Sequence, residues 1–283
     1  MINGIVNINK PSGISSSLAV SKVRRALGER KIGHMGTLDP MGEGVLLMGV
    51  GKCTRLFDYF LGKTKTYEAA FRFGFSTDTL DITGKTIAQT IDIPTMTDIV
   101  QRIPEFIGVQ MQMPPQYSAK SVGGQRAYDL ARKGVTAELK ASQIEVNSFD
   151  LLKKTDENEY LFRIDCSSGT YIRSLCRDLA TALGSLATMT SIKRTRCGNF
   201  FIEDSVSPEA VTASDVKSPK EALAGMTEFE APEAFYGKLT NGVPVMIDNA
   251  PTGKFVLYCV GELLGIAGLE DRGVKIITYL KED

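Results

Sequence analysis

Tyr67, Ala69, Phe71 and Phe73 alternate with Glu68, Ala70 and Arg72, the two-residue period of a half-buried strand. Earlier in the chain the period changes. Val20, Val23 and Leu27 recur at helical spacing, with Ser15, Ser16 and Ser17 offering an N-cap and Gly28 a stop. Residues 5–8 read as a short strand that turns at Lys10-Pro11-Ser12-Gly13. Residues 45–48 read as a buried strand, 54–61 as a helix, and 97–107 as another helix. A proline-rich loop at Met113-Pro114-Pro115 precedes a predicted helix over 125–133 and two strands near 143–153 and 159–167. Ile172, Leu175, Leu179 and Leu183 mark an amphipathic helix stopped by Gly184. Several strands are adjacent in sequence and helices interrupt them irregularly. The pattern predicts an α+β fold with a mixed, largely antiparallel sheet and flanking helices, not a doubly wound parallel one.

Around 205–232 the chain turns acidic and carries Pro208, Pro219 and Pro232. A boundary there divides the chain into 1–230 and 231–283. The second part shows short apolar runs at 243–247, 255–260, 263–268 and 274–280, the pattern of a small β-barrel-like module.

Composition narrows the chemistry. No apolar run among the 283 residues approaches the roughly 20 that span a bilayer, and residues 1–10 lack a signal-peptide pattern. The expected location is the cytoplasm, with no membrane partner. The five cysteines are dispersed without a Cys-x-x-Cys pair, as free thiols in a reducing compartment. His34 is the only histidine, so a Cys/His zinc site is hard to build and no metal is expected. Net charge is zero but unevenly spread. Residues 1–75 carry 11 Lys/Arg against 5 Asp/Glu, and residues 200–283 carry 7 against 14. Local basic clusters, not whole-chain charge, govern phosphate binding.

The densest unusual segment is Gly33-His34-Met35-Gly36-Thr37-Leu38-Asp39-Pro40-Met41-Gly42-Glu43-Gly44. Four glycines and a proline suit neither helix nor strand, and Pro40 biases Asp39 away from helical dihedrals. The segment reads as a rigid loop presenting one carboxylate, or as a plain turn whose Asp caps the next element. A phosphate-binding loop fails at Gly51-Lys52, because Leu46 and Cys53 stand where Gly and Ser/Thr are needed. No dinucleotide fingerprint is present either.

Gly33-His34-x-Gly36-Thr37-Leu38-Asp39-Pro40 resembles the signature of TruB-family pseudouridine synthases. Further segments agree in order: Lys10-Pro11-x-Gly13 with Ser15-Ser16, Lys65-Thr66-Tyr67, Thr77-Asp78-Thr79-x-Asp81-x-x-Gly84, Pro115-x-Tyr117-Ser118-Ala119-Lys120, and Gly169-Thr170-Tyr171-Ile172-Arg173. The resemblance spans about residues 4–202, and the tail resembles a PUA-type RNA-binding barrel more weakly. Where many members have Leu-Arg-Arg-Thr, this chain has Ile192-Lys193-Arg194-Thr195, which keeps an apolar wall but loses one forked donor.

The resemblance implies a pseudouridine synthase fold, with Asp39 as catalytic nucleophile and no cofactor. It implies Tyr67 as the ring on which a flipped base stacks, Tyr171 as a second wall, and Arg173 as a guanidinium holding Asp39 by two hydrogen bonds. His34 takes the space left by the flipped base, Ile192 lines the pocket, and Lys10 completes the substrate-binding set. Lys63, Lys65, Lys193, Arg194 and Arg196 are candidate phosphate contacts. Each has a plainer reading. Tyr67 shares strand parity with Phe71 and Phe73 and suits the core, Arg173 suits an exposed helix start, and Asp78 and Asp81 suit loop acceptors. The implied substrate is the T-loop uridine at position 55 of tRNA, bound as a T-stem-loop by a monomer without an obligate protein partner. Three alternatives stay open: a guide-RNA-dependent relative acting on ribosomal RNA, a non-catalytic RNA-folding protein, and an unrelated carbohydrate hydrolase.

Overall fold

A computed structural model describes residues 2–118, 120–122, 124–132 and 134–281. Ala119 of the resemblance motif and Lys133, the end of one predicted helix, lie outside the described residues.

The first strand, β1 (Gly4–Lys10), is followed by helix α1 (Ser16–Leu27). Ser15 caps α1 by accepting from the Leu18 amide, and Gly28 ends it with φ 66°, as the serine run and glycine predict. Next come β2 (Ile32–His34), β3 (Glu43–Val50) and β4 (Lys65–Phe73). These strands belong to one large sheet. Its order runs Val216–Lys217, β1, β3, Ala187–Cys197, β4, Glu159–Cys166, Ser142–Asp156 and Gly108–Gln112, with β2 and Phe200–Phe201 attached at the side. Most neighbours are antiparallel. The exception on this path is β3 beside Ala187–Cys197, which pair in parallel only at Lys193↔Glu43 and Arg194↔Gly44. The fold is therefore α+β with a mixed, largely antiparallel sheet.

That short parallel contact is where the sheet is narrowest. Gly44 makes it possible: with φ +97°, a Cβ there would lie 2.3 Å from the Arg194 carbonyl oxygen. The 35–42 loop enters just before this junction and so emerges where the two halves of the sheet meet.

One face of the sheet packs α1 and the helix Ile172–Ala182 over Val6, Ile8, Leu46, Ala69, Phe71 and Phe162. On the other face, Ile5, Val45 and Leu47 pack with Phe60 and Phe200, and with Val256, Ile266 and Leu280 from the C-terminal region. That region forms a separate four-stranded sheet, Glu228–Ala231, Lys254–Cys259, Glu262–Glu270 and Gly273–Tyr279, with its own core around Phe255, Leu257 and Leu264. The predicted strand at 243–247 does not form. Gly242 and Pro244 interrupt it, and only Val245 bridges, to Val274. Glu228–Ala231 takes the missing place, parallel to Lys254–Cys259.

Several other elements differ from expectation. The 54–61 helix is a 3₁₀ segment, Gly51–Leu56, followed by one short α-helix, Phe57–Leu61. The 97–107 helix is α over Met96–Arg102 and 3₁₀ over Ile103–Phe106, where Pro104 removes a helix donor. Among the described residues no helix is long and apolar enough to cross a membrane.

Candidate active site

Asp39 sits on a loop whose backbone is held from outside. The Ser16 hydroxyl donates to the Leu38 carbonyl at 2.8 Å and accepts from the Leu38 amide at 3.0 Å. The Gly13 amide donates to the Pro40 carbonyl at 2.8 Å, and Lys10 Nζ reaches the same oxygen at 3.3 Å. Ser12 Oγ donates to the Met41 carbonyl at 2.8 Å, and the Gly42 amide closes a turn onto the Asp39 carbonyl at 2.9 Å. The end of β1, the turn after it and the start of α1 thus fix three residues around Asp39: Leu38, Pro40 and Met41. A loop without its own regular structure is made rigid by neighbours, as a positioned carboxylate requires.

Arg173, in the first turn of the helix Ile172–Ala182, faces this loop and is nearly buried. Its Nη2 lies 2.9 Å from Asp39 Oδ2 and also donates to the Tyr117 carbonyl at 2.9 Å. Its Nη1 donates to the Thr79 carbonyl at 2.9 Å and stands 3.4 Å from Asp81 Oδ2. The expected two-bond grip on Asp39 is therefore corrected to a single contact, because the second nitrogen is turned toward Thr79 and Asp81. Asp81 is buried and accepts from Thr79 Oγ1 at 2.8 Å and from the Thr83 amide at 3.0 Å. Asp78 acts only as a loop acceptor, for the Lys85 amide at 2.8 Å. The plainer reading holds for Asp78, but Asp81 is both a loop acceptor and a partner of the Asp39–Arg173 pair.

The Asp39 side chain remains partly open to solvent. About 38% of its side chain meets solvent, yet protein crowds the carboxyl itself. Crowding pushes its pKa above the ordinary carboxylate value, and nearby Asp81 adds to that, while Arg173 and Lys10 pull it back. Lys10 is fully buried and donates to the carbonyls of Pro11, Ile14 and Pro40, so its expected place in the substrate-binding set is corrected to a support of the loop from behind. Desolvation lowers its pKa to about 8, against the pull of Asp39.

The remaining candidates lie around this pair. Tyr67, on β4, is 8% exposed and shares a core cluster with Leu38, Phe71 and Phe73. Burial pushes its phenol up to about 12, with the Arg194 guanidinium opposing. Tyr171 is half-buried at the N-cap of the Arg173 helix. Burial raises its hydroxyl pKa, and both Arg173 and Asp39 act on it electrostatically. Ile192 approaches the loop so closely that a Cβ on Gly42 would meet its Cγ2 at 3.3 Å. His34 ends β2. Its Nδ1 is buried without a hydrogen-bond partner among the described residues, and burial together with Arg194 lowers its pKa.

Two of the phosphate candidates are corrected. Lys65 is buried and Nζ donates to the Leu61 and Lys63 carbonyls at 2.6 and 2.5 Å. Arg194 is 2% exposed; Nε donates to the Val45 carbonyl at 2.6 Å and Nη2 to the Gly36 carbonyl at 3.3 Å. Buried cations spent on backbone carbonyls cannot reach a phosphate. Arg196 is bound to Asp165, Thr66 and Gly198. Lys193 is open to solvent, with its nearest ion-pair partner, Glu43, 3.9 Å away, and Lys63 rests on the Tyr59 ring. Among the described residues no group of three or more His, Cys, Asp or Glu is placed to hold a metal.

Sequence reasoning missed three contributors. Ser16, read as part of a capping run and of the Lys10–Ser16 resemblance motif but given no role at the site, is the clasp on Leu38. Asp81, quoted in the acidic-loop motif, was read as a loop acceptor. Gln112, which carries no motif, binds the backbone of Tyr171.

A family model described as the N-terminal domain of TruB family pseudouridylate synthases matches residues 24–172. A tRNA pseudouridine synthase B of Gloeobacter violaceus is 44% identical over 290 residues, covering 99% of each chain. A tRNA pseudouridine synthase B of Clostridium kluyveri is 37% identical over 287 residues, covering 98% of this chain and 99% of its own. A solved H/ACA ribonucleoprotein bound to a substrate RNA containing 2'-deoxyuridine shares the fold. Its TM-score is 0.70 at 20% identity, over 98% of this chain and 84% of that one.

Proposed function

The chain belongs to the TruB family of pseudouridylate synthases, and on that premise we propose that it isomerises the T-loop uridine of tRNA, at position 55, to pseudouridine. Full-length similarity to tRNA synthases favours a tRNA substrate over a guide-RNA-dependent one. The observation that carries the residue assignment is the solvent-open Asp39 carboxylate, fixed on both sides by backbone contacts and paired with a nearly buried Arg173.

Pseudouridine formation breaks the N1–C1′ bond, turns the uracil and rejoins it through C5. A uridine in folded RNA must first leave its stack, at a cost of a few kcal/mol. The Tyr67 ring offers a stacking face worth roughly 1–3 kcal/mol by analogy with single-strand sites. Ile192 and Tyr171 bound the pocket, and His34 stands in the space the base vacates. Asp39, ionised and oriented by Arg173, attacks the flipped nucleoside, and Lys10 holds the loop from behind. Lys63 and Lys193 are the phosphate contacts, with Arg196 in reserve behind its pair with Asp165. No cofactor takes part in this scheme. Residues 1–230 form the catalytic part and 231–283 a PUA-like module contacting the RNA. The protein acts as a monomer in the cytoplasm.

The test is an unmodified tRNA transcript incubated with the protein and mapped for pseudouridine by carbodiimide adducts. The expected result is a single adduct at the T-loop uridine. Modification elsewhere with an untouched T-loop would overturn the substrate assignment.

A further inference from the structure

The helix that carries Arg173 begins without a cap of its own. Tyr171 stands at its N-cap, where Ser, Thr, Asp or Asn is preferred, and no side chain caps it within the helix. Ser174, placed where a capping-box residue would reach back, instead donates to the Met113 carbonyl at 2.8 Å. The missing contact comes from 59 residues away. Gln112 Oε1 accepts from the Tyr171 amide at 2.8 Å, and Gln112 Nε2 donates to the Tyr171 carbonyl at 3.1 Å. Gln112 is 2% exposed, so its carboxamide has no water to turn to.

Gln112 is also the last residue of the edge strand Gly108–Gln112, where the 113–141 segment leaves the sheet. That segment is tied to the same helix start. Met113 accepts from Ser174 and Arg177, and Tyr117 accepts from Arg173. We infer that Gln112 is a positioning residue: it replaces the capping box of the Arg173 helix and thereby sets where the Arg173 guanidinium meets Asp39. This rests on the proposed reaction for its kinetic consequence, but not for its electrostatic one.

The electrostatic consequence is specific. The groups facing the Asp39 carboxyl are Arg173, Asp81, Lys10 and Tyr171. Gln112 is neutral, so its loss changes the Asp39 titration only by moving the groups it holds: Arg173, which carries the charge, and Tyr171, which it clamps directly. A displaced Arg173 stabilises the carboxylate less, and Asp39 then titrates at higher pH.

The test compares wild type, Gln112→Met and Gln110→Met by ¹³C-carboxyl NMR, with Asp39 assigned from Asp39→Asn. Gln110, on the same edge strand, spends its carboxamide on the Phe106 carbonyl at 2.6 Å and not on the Arg173 helix, and serves as the structural control. The expected result is an Asp39 midpoint raised by about half a pH unit or more in Gln112→Met and unmoved in Gln110→Met. In single turnover on a T-arm transcript, Gln112→Met is expected to lose about tenfold to a hundredfold in rate with unchanged RNA affinity. Should Gln112→Met fail to fold, Gln112→Asn draws the carboxamide back by one methylene and carries the same expectation at smaller size. An Asp39 midpoint equal to wild type in a folded Gln112 variant overturns the inference, whatever its melting temperature. Absence of activity in wild type would instead count against the proposed reaction, and the NMR comparison would still decide on Gln112.

Discussion

One hydroxyl, that of Ser16, holds both backbone groups of Leu38, the residue before Asp39. A serine at the start of α1 is ordinary capping material. Here Ser15 does the capping and Ser16 turns inward, where it is 3% exposed. The Asp39 loop is therefore docked at Leu38 on the start of a helix, beside the turn that Gly42 closes within the loop.

Ser16→Ala leaves a buried amide and carbonyl unpaired, which costs about 1–3 kcal/mol of stability. The larger expected effect is on chemistry. Misplacement of Asp39 lowers the single-turnover rate by about tenfold to a hundredfold. RNA affinity, measured by filter binding, stays at the wild-type value. A wild-type rate in this variant would show that the clasp does not position the carboxylate.

Asp81 and Asp39 share Arg173 but differ in surroundings. Asp81→Asn removes a buried counterion with several donors aimed at it, and is expected to cost on the order of 3 kcal/mol in thermal or denaturant unfolding. It also removes a repelling charge, so the Asp39 midpoint falls. Asp39→Asn behaves differently. The folded pKa of Asp39 is raised, so its ionised form favours the unfolded chain, and its stabilising contribution is lost as pH rises through that pKa. At neutral pH Asp39→Asn is therefore expected to melt at or above the wild-type temperature.

The proposed reaction needs Asp39 ionised. Since its pKa lies above the ordinary carboxylate value, the acid limb of the single-turnover rate is expected above the pH at which a free carboxyl titrates. Arg173→Gln removes the main charge holding the carboxylate down, so that limb moves further up and the neutral-pH rate falls. A limb at an unperturbed carboxyl pKa in both proteins contradicts the coupling.

Basic residues divide by burial. Lys65→Met and Arg194→Met are expected to lower stability while leaving the salt dependence of RNA binding unchanged in slope. Lys63→Ala and Lys193→Ala are expected to weaken binding across RNA sequences, each reducing the salt slope by about 1. Titrations at several salt concentrations separate the two groups.

The parts of the fold carried by local rules were legible. α1 shows its serine cap and terminal glycine, β4 its alternation, and the Arg173 helix its apolar stripe. The central strand Ala187–Cys197 was not predicted, because Ala-Thr-Met-Thr-Ser-Ile-Lys-Arg-Thr-Arg-Cys has little hydrophobic alternation. It is buried by its neighbours, and Thr188 and Arg194 satisfy their polar groups on backbone carbonyls. Charge type likewise did not reveal that Lys65 and Arg194 point inward, since burial of a cation depends on carbonyls supplied by distant segments. Asp39 and Arg173 were named from motifs. Their third partner, Asp81, and the supports at Ser16 and Gln112 depend on contacts across 22 to 92 residues of chain, which no local pattern encodes.

The most direct test of the central claim uses a tRNA T-arm transcript carrying tritium at uracil C5. Wild type and Asp39→Asn are incubated with it, and released tritium and bound RNA are counted in parallel. The expected result is stoichiometric release by wild type, none by Asp39→Asn, and equal RNA binding by both. Release by Asp39→Asn at the wild-type rate would contradict the assignment of Asp39 to the chemistry, and loss of binding along with release would make Asp39 a binding residue instead.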